Sequence, residues 1–250
     1  MFGQCKSLES VSLPDTLQEG DFSFNATSIK SITIPKSLKA IPKEAFSGCS
    51  NLTDVTIGDG VESIEEGAFS GCPIESIVIP DSVLYIKKGA FWGCDKLKDI
   101  KLSNNLEYIG DNAFYEAGIE HIKFPSTLKT IGEEAFRFAP LKAVVLPDSL
   151  ERLGYAAFYR SKTLEKVYVP KGVANSLNDA FNGCEKLKEV KFDGEMTRAM
   201  YEQFVLKCDN SPYSKEYADN IKEDFIIFDG NYLARYNGKD KNPIIPDNIT

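Results

Sequence analysis

The chain has 250 residues, 42% of them apolar, which is enough to bury a continuous core. Its 37 acidic residues outnumber its 29 lysines and arginines and give a formal charge of −8, which excludes a generic basic groove for nucleic acid. No run of 18 apolar residues occurs and the first residues lack the charged and apolar regions of an export signal, so neither a membrane span nor a signal peptide is expected in this chain.

The first repeated feature is a phenylalanine that recurs every 22 or 23 residues, usually directly after an alanine. The repeated residues are Phe2, Phe24, Phe46, Phe69, Phe91, Phe114, Phe136, Phe158 and Phe181. A period of this length is typical of a solenoid, in which each small unit buries its apolar side against the units before and after it. Each unit is called a coil below and is named by its phenylalanine.

Five or six residues after each phenylalanine come three apolar residues at positions i, i+3 and i+5, for example Leu52, Val55 and Ile57. The last two are separated by the strand period of two, so they lie on one face of a short strand. Proline, which ends a strand, follows the third apolar residue in most coils. We therefore predict nine parallel strands, about 4.8 Å apart, in a sheet roughly 40 Å long.

The segment between each strand and the next phenylalanine carries further apolar residues. In one coil Ile64, Ala68 and Phe69 stand at i, i+4 and i+5, a spacing that predicts one inward-facing helical turn with Glu65 and Glu66 outside. The expected fold class is an α/β repeat solenoid with parallel short strands and short helical turns on the return arc.

The periodicity ends near Phe204, so we predict a solenoid of about nine coils over residues 1–204. Residues 205–250 are expected to hold a helical insert or cap, since Tyr213, Tyr217 and Ile221 have helical spacing. A β-hairpin with its turn at Asp229-Gly230 should follow, and then the start of a possible further repeat block. The chain is expected to be part of a longer protein.

Three motifs recur through most coils: Leu-x-x-Val-x-Ile-Pro, then Leu/Val-x-x-Ile-x-x-x-Ala-Phe, then Phe-x-Gly-Cys. Together they resemble the BspA-like class of leucine-rich repeat over about residues 1–204. The chain lacks the Asn/Cys ladder that follows the strand in ordinary leucine-rich repeats. The resemblance implies a cell-surface or secreted protein, largely of bacterial type, that adheres to a host matrix or cell-surface protein or to a glycan.

The residues that could carry chemistry have simpler explanations. Five cysteines, Cys5, Cys49, Cys72, Cys94 and Cys184, share the third position after the phenylalanine. Other coils place Thr, Ala or Ser there, which indicates a requirement for a small side chain, and no Cys-x-x-Cys pair suggests zinc. His121 is the only histidine and is expected to be solvated. The carboxylates form no distinctive cluster, so we expect no catalysis, no metal and no cofactor.

The residue after the first member of each apolar triplet alternates in charge from coil to coil, with one exception at Thr53. This column reads Glu9, Lys30, Thr53, Glu75, Lys98, Glu120, Lys142, Glu165 and Lys188. Stacked opposite charges would support the register of the coils, although ordinary maintenance of a charged surface explains the pattern equally.

Aromatic residues give the best binding candidates. Trp92, Tyr115, Arg137 and Tyr159 directly follow the phenylalanines of four successive coils, and Phe138 is adjacent. Secondary candidates are Tyr85 and Tyr108, in one column directly before an isoleucine, and Tyr168, on the sheet with Val78 and Val145. Exposed aromatic residues and arginine dominate protein interfaces, and aromatic rings stack on sugars. Local packing at the rim of the solenoid is the alternative explanation.

The pattern as a whole favours a non-catalytic recognition or adhesion module that binds a protein or glycan partner through the solenoid surface. The competing interpretation is a passive spacer that displays another domain of a longer surface protein. Neither interpretation involves nucleic acid or insertion into a membrane.

Overall fold

The computed structural model of the chain describes residues 2–18, 20, 22–193 and 203, and the backbone of Phe225–Phe228 and Tyr232–Tyr236. Its strands in chain order are β1 (Ser31–Ile34), β2 (Ala40–Ile41), β3 (Asp54–Ile57), β4 (Ser63–Ile64), β5 (Ser76–Val78), β6 (Tyr85–Ile86), β7 (Asp99–Lys101), β8 (Tyr108–Ile109), β9 (Thr130–Ile131), β10 (Ala143–Val145), β11 (Arg152–Leu153), β12 (Lys166–Val169), β13 (Glu189–Phe192), β14 (Phe225–Phe228) and β15 (Tyr232–Tyr236). In the described part of the chain, the only helical element of several residues is a 3₁₀ turn, Lys171–Val173.

Seven of the nine predicted strands form, namely β1, β3, β5, β7, β10, β12 and β13, and each pairs in parallel with the expected residues inside. The triplets that begin at Leu8 and Ile119 form no strand. The register aligns Ile32 with Val55, Ile77 with Ile100, and Val144 with Val167. The prediction of one continuous nine-stranded sheet is wrong, because these strands form three separate sheets, β1–β3, β5–β7 and β10–β12–β13.

The gaps between these three sheets correlate with the number of residues in the turn after the phenylalanine. Strands that pair with the preceding coil begin their apolar triplet six residues after the phenylalanine, at Leu52, Leu97, Leu164 and Leu187. Coils in which the triplet begins one residue earlier, at Ile29, Ile74, Ile119 and Leu141, do not pair backwards. The shorter turn therefore coincides with every break in the pairing, including the coil of Ile119, which has no strand of its own.

A second ladder, which the sequence did not indicate, runs through six successive coils, from that of Phe46 to that of Phe158. It is a parallel sheet of two-residue strands in the order β11-β9-β8-β6-β4-β2. The second residue of each strand is buried, for example Ile64 beside Ile86. The apolar residues five before the phenylalanines therefore belong to strands.

The return arc holds turns in place of the predicted helical turn. The N–H groups of Ala68 and Ser70 donate to carbonyls three residues back, Glu65 and Gly67, at 3.2 and 3.1 Å. The N–H group of Phe69 instead donates to Ala90 of the next coil at 2.8 Å. Since every second N–H group leaves the coil, the continuous i to i−4 bonding of a helix cannot form.

The core is a stack of the repeated phenylalanines. From Phe46 to Phe181 these rings are fully buried, with centroids 5.1–5.4 Å apart and interplanar angles of 1–15°. The leucines, isoleucines and valines of both ladders surround the stack. Replacing a fully buried phenylalanine with alanine typically costs about 3–5 kcal/mol, so each coil depends on this residue.

The C-terminal predictions are tested only in part. The strands β14 and β15 pair antiparallel, which confirms the predicted hairpin strands. The predicted helix or cap over 205–224 and the further block after the hairpin lie outside the described residues. The division at residue 204 stays a prediction.

Candidate functional site

The residue after each core phenylalanine points away from the core. The turn bonds of Trp92 show how it is held: its N–H group donates to Gly89 at 3.0 Å and its carbonyl accepts from Gly71 of the preceding coil at 2.7 Å. Phe91 is fully buried, whereas half of the Trp92 surface is exposed. The same turn brings Trp92, Tyr115, Arg137, Phe138 and Tyr159 into contact across four coils, and we call these five residues the aromatic strip.

The rings of the strip meet edge to face. Trp92 and Tyr115 are 5.6 Å apart at 69°, and Tyr115 and Phe138 are 5.6 Å apart at 86°. Phe138 and Tyr159 continue the series at 6.4 Å and 79°. Edge-to-face contacts are a favoured geometry for aromatic pairs, so the rings support one another in this arrangement.

Arg137 lies among these rings. Its guanidinium carbon is 4.8 Å from the Phe138 ring centroid, 4.7 Å from that of Tyr159 and 5.8 Å from that of Tyr115. One guanidinium nitrogen, Nη1, contacts Oε1 of Glu134 at 2.6 Å. The side chains of Arg137 and Glu134 are only 28% and 26% exposed, so this pair is better shielded than the other ion pairs of the described surface. Arg137 thus holds the rings in place, with its charge already paired.

Sequence reasoning missed two residues that contact the strip, Glu134 and Arg160, and one exposed aromatic residue, Tyr155. Glu134 was overlooked, although it stands three residues before Arg137, a spacing at which side chains of a turn can meet. The guanidinium of Arg160 lies 5.3 Å from the Tyr159 ring. Tyr155, in the same coil, is 54% exposed, and its place in a column with Lys88, Asp111 and Glu133 was the signal that it faces outward.

Tyr85 and Tyr108 lie elsewhere, side by side on β6 and β8. The ammonium group of Lys87 is 4.6 Å from the Tyr85 ring and 5.4 Å from the Tyr108 ring. No ring contact joins this pair to the strip within the described part of the chain. They therefore form a separate, smaller aromatic surface.

The strand face carries the remaining candidates. Tyr168 is half-buried, and its hydroxyl donates to Asp193 at 2.8 Å and to Asp148 at 3.4 Å. The hydrogen bond to Asp193, followed by desolvation and the charge of Asp148, raises the pKa of Tyr168 to about 12. Val78 and Val145, in the same column, stay exposed.

An open depression of about 1240 Å³ spreads over β3, β5 and β7 on the strand face. Its lining mixes charges and apolar groups and includes Asp54, Val78, Asp99, Lys101 and His121. His121 is exposed, as expected. Because this lining carries charges of both signs, its electrostatic potential has no single sign that would select a charged ligand.

Four of the five cysteines in the column lie inside the solenoid, whereas Cys5, in the first coil, is exposed. Cys49, Cys72 and Cys94 are buried and free, and each thiol donates to the carbonyl of the preceding coil's phenylalanine at 3.0–3.2 Å. Burial raises the pKa of Cys94 to about 12 and that of Cys72 further. A neutral, enclosed thiol is a poor nucleophile, so these cysteines are packing groups. The described residues contain no group of three or more metal-ligating side chains.

The predicted charge ladder forms at three steps, Lys30 with Glu9, Lys142 with Glu120, and Lys188 with Glu165. Hydrogen bonds from the partner lysines lower the pKa of Glu120 and of Glu165. Five other pairs also join neighbouring coils, for example Lys39 with Glu62 and Lys166 with Glu189. All these pairs are largely exposed, so they support register more than stability.

Comparison with known proteins places these features in a family. The model of the BspA type leucine rich repeat region matches residues 20–140 and 109–212 in six copies. A leucine-rich repeat protein from T. pallidum has 26% identity and a TM-score of 0.52 over 73% of this chain and 84% of its own. No curated protein matches the sequence.

Two further solved structures are similar to the chain at lower scores. A leucine rich cell surface protein from Faecalibacterium prausnitzii A2-165 has 22% identity and a TM-score of 0.41 over 70% of this chain. The pneumococcal vaccine antigen PcpA has 21% identity and a TM-score of 0.38 over 68% of this chain. The present chain spans 62% and 59% of the lengths of these two proteins. No described residue belongs to a helix long and apolar enough to cross a membrane.

Proposed function

Because the chain belongs to the BspA-type leucine-rich repeat family, we propose that it is a non-catalytic recognition segment of a bacterial cell-surface protein and binds a macromolecular partner through the aromatic strip. Stacked repeats create extended, rigid surfaces suited to protein binding. A host matrix protein, another cell-surface protein or a glycan is the expected class of partner.

The observation that carries the proposal is the continuous chain of ring contacts from Trp92 to Tyr159, with Trp92 half exposed at one end. Solvent-accessible tryptophan, tyrosine and arginine are the residues most enriched among binding hot spots. Fixed rings also lose little conformational entropy when a partner docks, because the Arg137–Glu134 pair already restrains them.

The test is direct binding of the 250-residue chain to immobilised fibronectin, fibrinogen and laminin and to a glycan array. The double variant Trp92→Ala with Tyr115→Ala should lose at least tenfold in affinity, which corresponds to about 1.4 kcal/mol. The matched control is Val78→Ala with Val145→Ala, which removes exposed apolar groups from the strand face. Circular dichroism should show both double variants folded.

The outcomes separate recognition from a spacer role. No saturable binding to any of these partners, or equal binding by the two double variants and the parent chain, would contradict recognition through the strip. A spacer predicts that cell adhesion survives the aromatic substitutions and weakens when coils are deleted, because deletion shortens the reach of the protein.

A further inference from the structure

The turn that leads into the aromatic strip contains a glutamate in an unfavourable backbone conformation. The residue two before the phenylalanine is left-handed in seven successive coils, and this position holds Glu44, Gly67, Gly89, Asn112, Glu134, Ala156 and Asp179. Glycine adopts this conformation without strain, whereas a glutamate does not. Glu134, with a φ of 53°, therefore occupies a position that glycine would suit better.

The side chain of Glu134 meets an arginine in the same turn. The residue directly after the phenylalanine is, in the same coil order, Ser47, Ser70, Trp92, Tyr115, Arg137, Tyr159 and Asn182. Nη1 of Arg137 donates to Oε1 of Glu134 at 2.6 Å, and the backbone N–H of Arg137 donates to the carbonyl of Glu134 at 3.1 Å. The coil that places an arginine at this position thus also begins its turn with a carboxylate that neutralises it.

Without Glu134, Arg137 would be a cation at the centre of the strip. Its guanidinium carbon lies within 5.8 Å of the ring centroids of Tyr115, Phe138 and Tyr159. Its Nε is buried, so the terminal nitrogens are the groups that a ligand could reach. A guanidinium is well suited to bind carboxylate, sulfate and phosphate groups. Glu134 occupies one of these nitrogens and cancels the charge that would attract an anion.

The Arg137–Glu134 pair is also shielded from solvent. The two side chains are 28% and 26% exposed, whereas every other ion pair between described residues has at least one side chain that is more than half exposed. Opposite charges attract more strongly where water is partly excluded. An anionic ligand would have to displace this carboxylate before it could bind Arg137.

We propose that Glu134 is a specificity-determining residue of the aromatic strip: it holds the guanidinium of Arg137 and so excludes sulfated, sialylated and other anionic partners. The inference rests on the proposed recognition function and restricts the partner to one that presents no anion to the middle of the strip. Groups that disfavour wrong partners are a general source of specificity. Arg160, which contacts the Tyr159 ring at the end of the strip, has no ion pair in the described part of the chain and is not controlled by Glu134.

The experiment measures binding of the 250-residue chain and its variants to immobilised heparin by surface plasmon resonance. Glu134→Gln keeps an oxygen that can accept from Arg137 but removes the charge, so it should bind heparin about fivefold more tightly than the parent chain at about 50 mM NaCl. The gain should shrink at about 300 mM NaCl, because salt screens exposed charges. Adding Arg137→Gln to Glu134→Gln should abolish the gain, since the released cation is then absent.

Two substitutions separate the freed arginine from other effects of removing a carboxylate. Glu44→Gln changes the same left-handed turn position in a coil with a serine after its phenylalanine. Glu133→Gln removes the exposed carboxylate next to Glu134, which has no ion pair in the described part of the chain. Both should stay within about twofold of the parent's heparin affinity, because neither frees Arg137. Arg160 is present in every protein and contributes equally to all of them.

Circular dichroism checks that each variant is folded. If Glu134→Gln disturbs folding, Glu134→Gly takes its place, because glycine suits the left-handed backbone. This variant should show the same gain in heparin binding. A purely structural role of Glu134 would change stability and leave heparin binding unchanged.

Four results would overturn the inference. They are no gain by Glu134→Gln, a gain that survives Arg137→Gln, an equal gain by Glu133→Gln, or a parent chain that already binds sulfated or sialylated glycans of the array through Trp92 and Tyr115. If another partner binds through Trp92 and Tyr115 while Glu134→Gln gains nothing, only the role of Glu134 falls. If no partner depends on Trp92 and Tyr115, the proposed function falls, and the role of Glu134 in choosing a partner falls with it.

Discussion

The coils of Phe69 and Phe91 share one backbone path with the coils of Phe114, Phe136 and Phe158, but the two groups place glycine differently. Two residues per coil, two before and two after the phenylalanine, have a left-handed backbone. In the first group all four are glycines, Gly67, Gly71, Gly89 and Gly93. In the second group none is a glycine, and the residues are Asn112, Glu116, Glu134, Phe138, Ala156 and Arg160.

The second group has three glycines where the backbones of successive coils approach closely at the second ladder. Gly110, Gly132 and Gly154 directly follow β8, β9 and β11, and a side chain added at Gly154 would place its Cβ 2.3 Å from the carbonyl carbon of Gly132. In the first group Glu65 and Lys87 stand at the same position. The later coils therefore bring their backbones closer at the second ladder.

The difference shows which coils contain residues in a strained backbone conformation. A non-glycine residue in the left-handed region costs roughly 1–2 kcal/mol, and the second group contains six such residues. Three of them, Glu134, Phe138 and Arg160, form or contact the aromatic strip. Backbone strain that coincides with a candidate binding surface is typical of functional sites. The strip is thus built on positions where glycine would suit the backbone better.

The largest expected effect tests the close packing of the later coils. Gly154→Ala should lower the free energy of unfolding by about 1–3 kcal/mol, because the new Cβ has only backbone to push against. Glu65→Ala, at the same position in the Phe69 coil, should change it by less than about 0.5 kcal/mol. Urea denaturation followed by circular dichroism measures both. Equal effects of the two substitutions would show that the groups pack alike.

A smaller effect tests the left-handed turns. Glu116→Gly should raise the free energy of unfolding by about 0.5–1 kcal/mol, since relief of strain exceeds the extra chain entropy of glycine. Phe138→Gly should lower it, because the lost ring contacts with Tyr115 and Tyr159, about 0.5–1.5 kcal/mol each, outweigh the same relief. The reverse change, Gly71→Ala, should lower it by about 1 kcal/mol.

Binding separates the two glycine variants. Only Phe138→Gly removes a ring of the strip, so only this variant should weaken binding of the partner, while Glu116→Gly should bind as the parent chain does. Loss of stability in Glu116→Gly would mean that its side chain contributes packing that outweighs the strain.

Much of the fold follows from the sequence because one signal is repeated nine times. The buried residues of the strands and the stacked phenylalanines follow directly from apolar spacing. The second ladder and the missing helix do not. Ile64, Ala68 and Phe69 fit a helix by spacing alone, and hydrogen bonds to the next coil, such as that from Phe69 to Ala90, decide otherwise. Bonds between coils leave no local pattern.

The strip could be predicted in membership but not in geometry. A column of aromatic residues after the phenylalanines indicated Trp92, Tyr115 and Tyr159, and the structure brings their rings into one series with Phe138. The sequence did not show that Glu134 neutralises Arg137, nor that the rings cross. The ion pair and the crossing of the rings both depend on Glu134 and Phe138, which have a left-handed backbone although they are not glycines. Backbone propensity alone disfavours that conformation for such residues.

The smallest effect compares the strand faces of the same two groups of coils. Val78, after Phe69, and Tyr168, after Phe158, hold the same position, but only Tyr168 donates to carboxylates on both neighbouring coils. Its pKa of about 12 exceeds the ordinary value of 10.0, so this contribution to stability is complete below pH 10 and is lost as the pH rises through 12. Absorbance at 295 nm, taken as the difference between the parent chain and Tyr168→Phe, should show one phenol titrating near 12. Val78→Ala should titrate as the parent does. A difference curve centred near 10 would mean that the two carboxylates do not hold the Tyr168 proton, and that the strand faces of the two groups are alike.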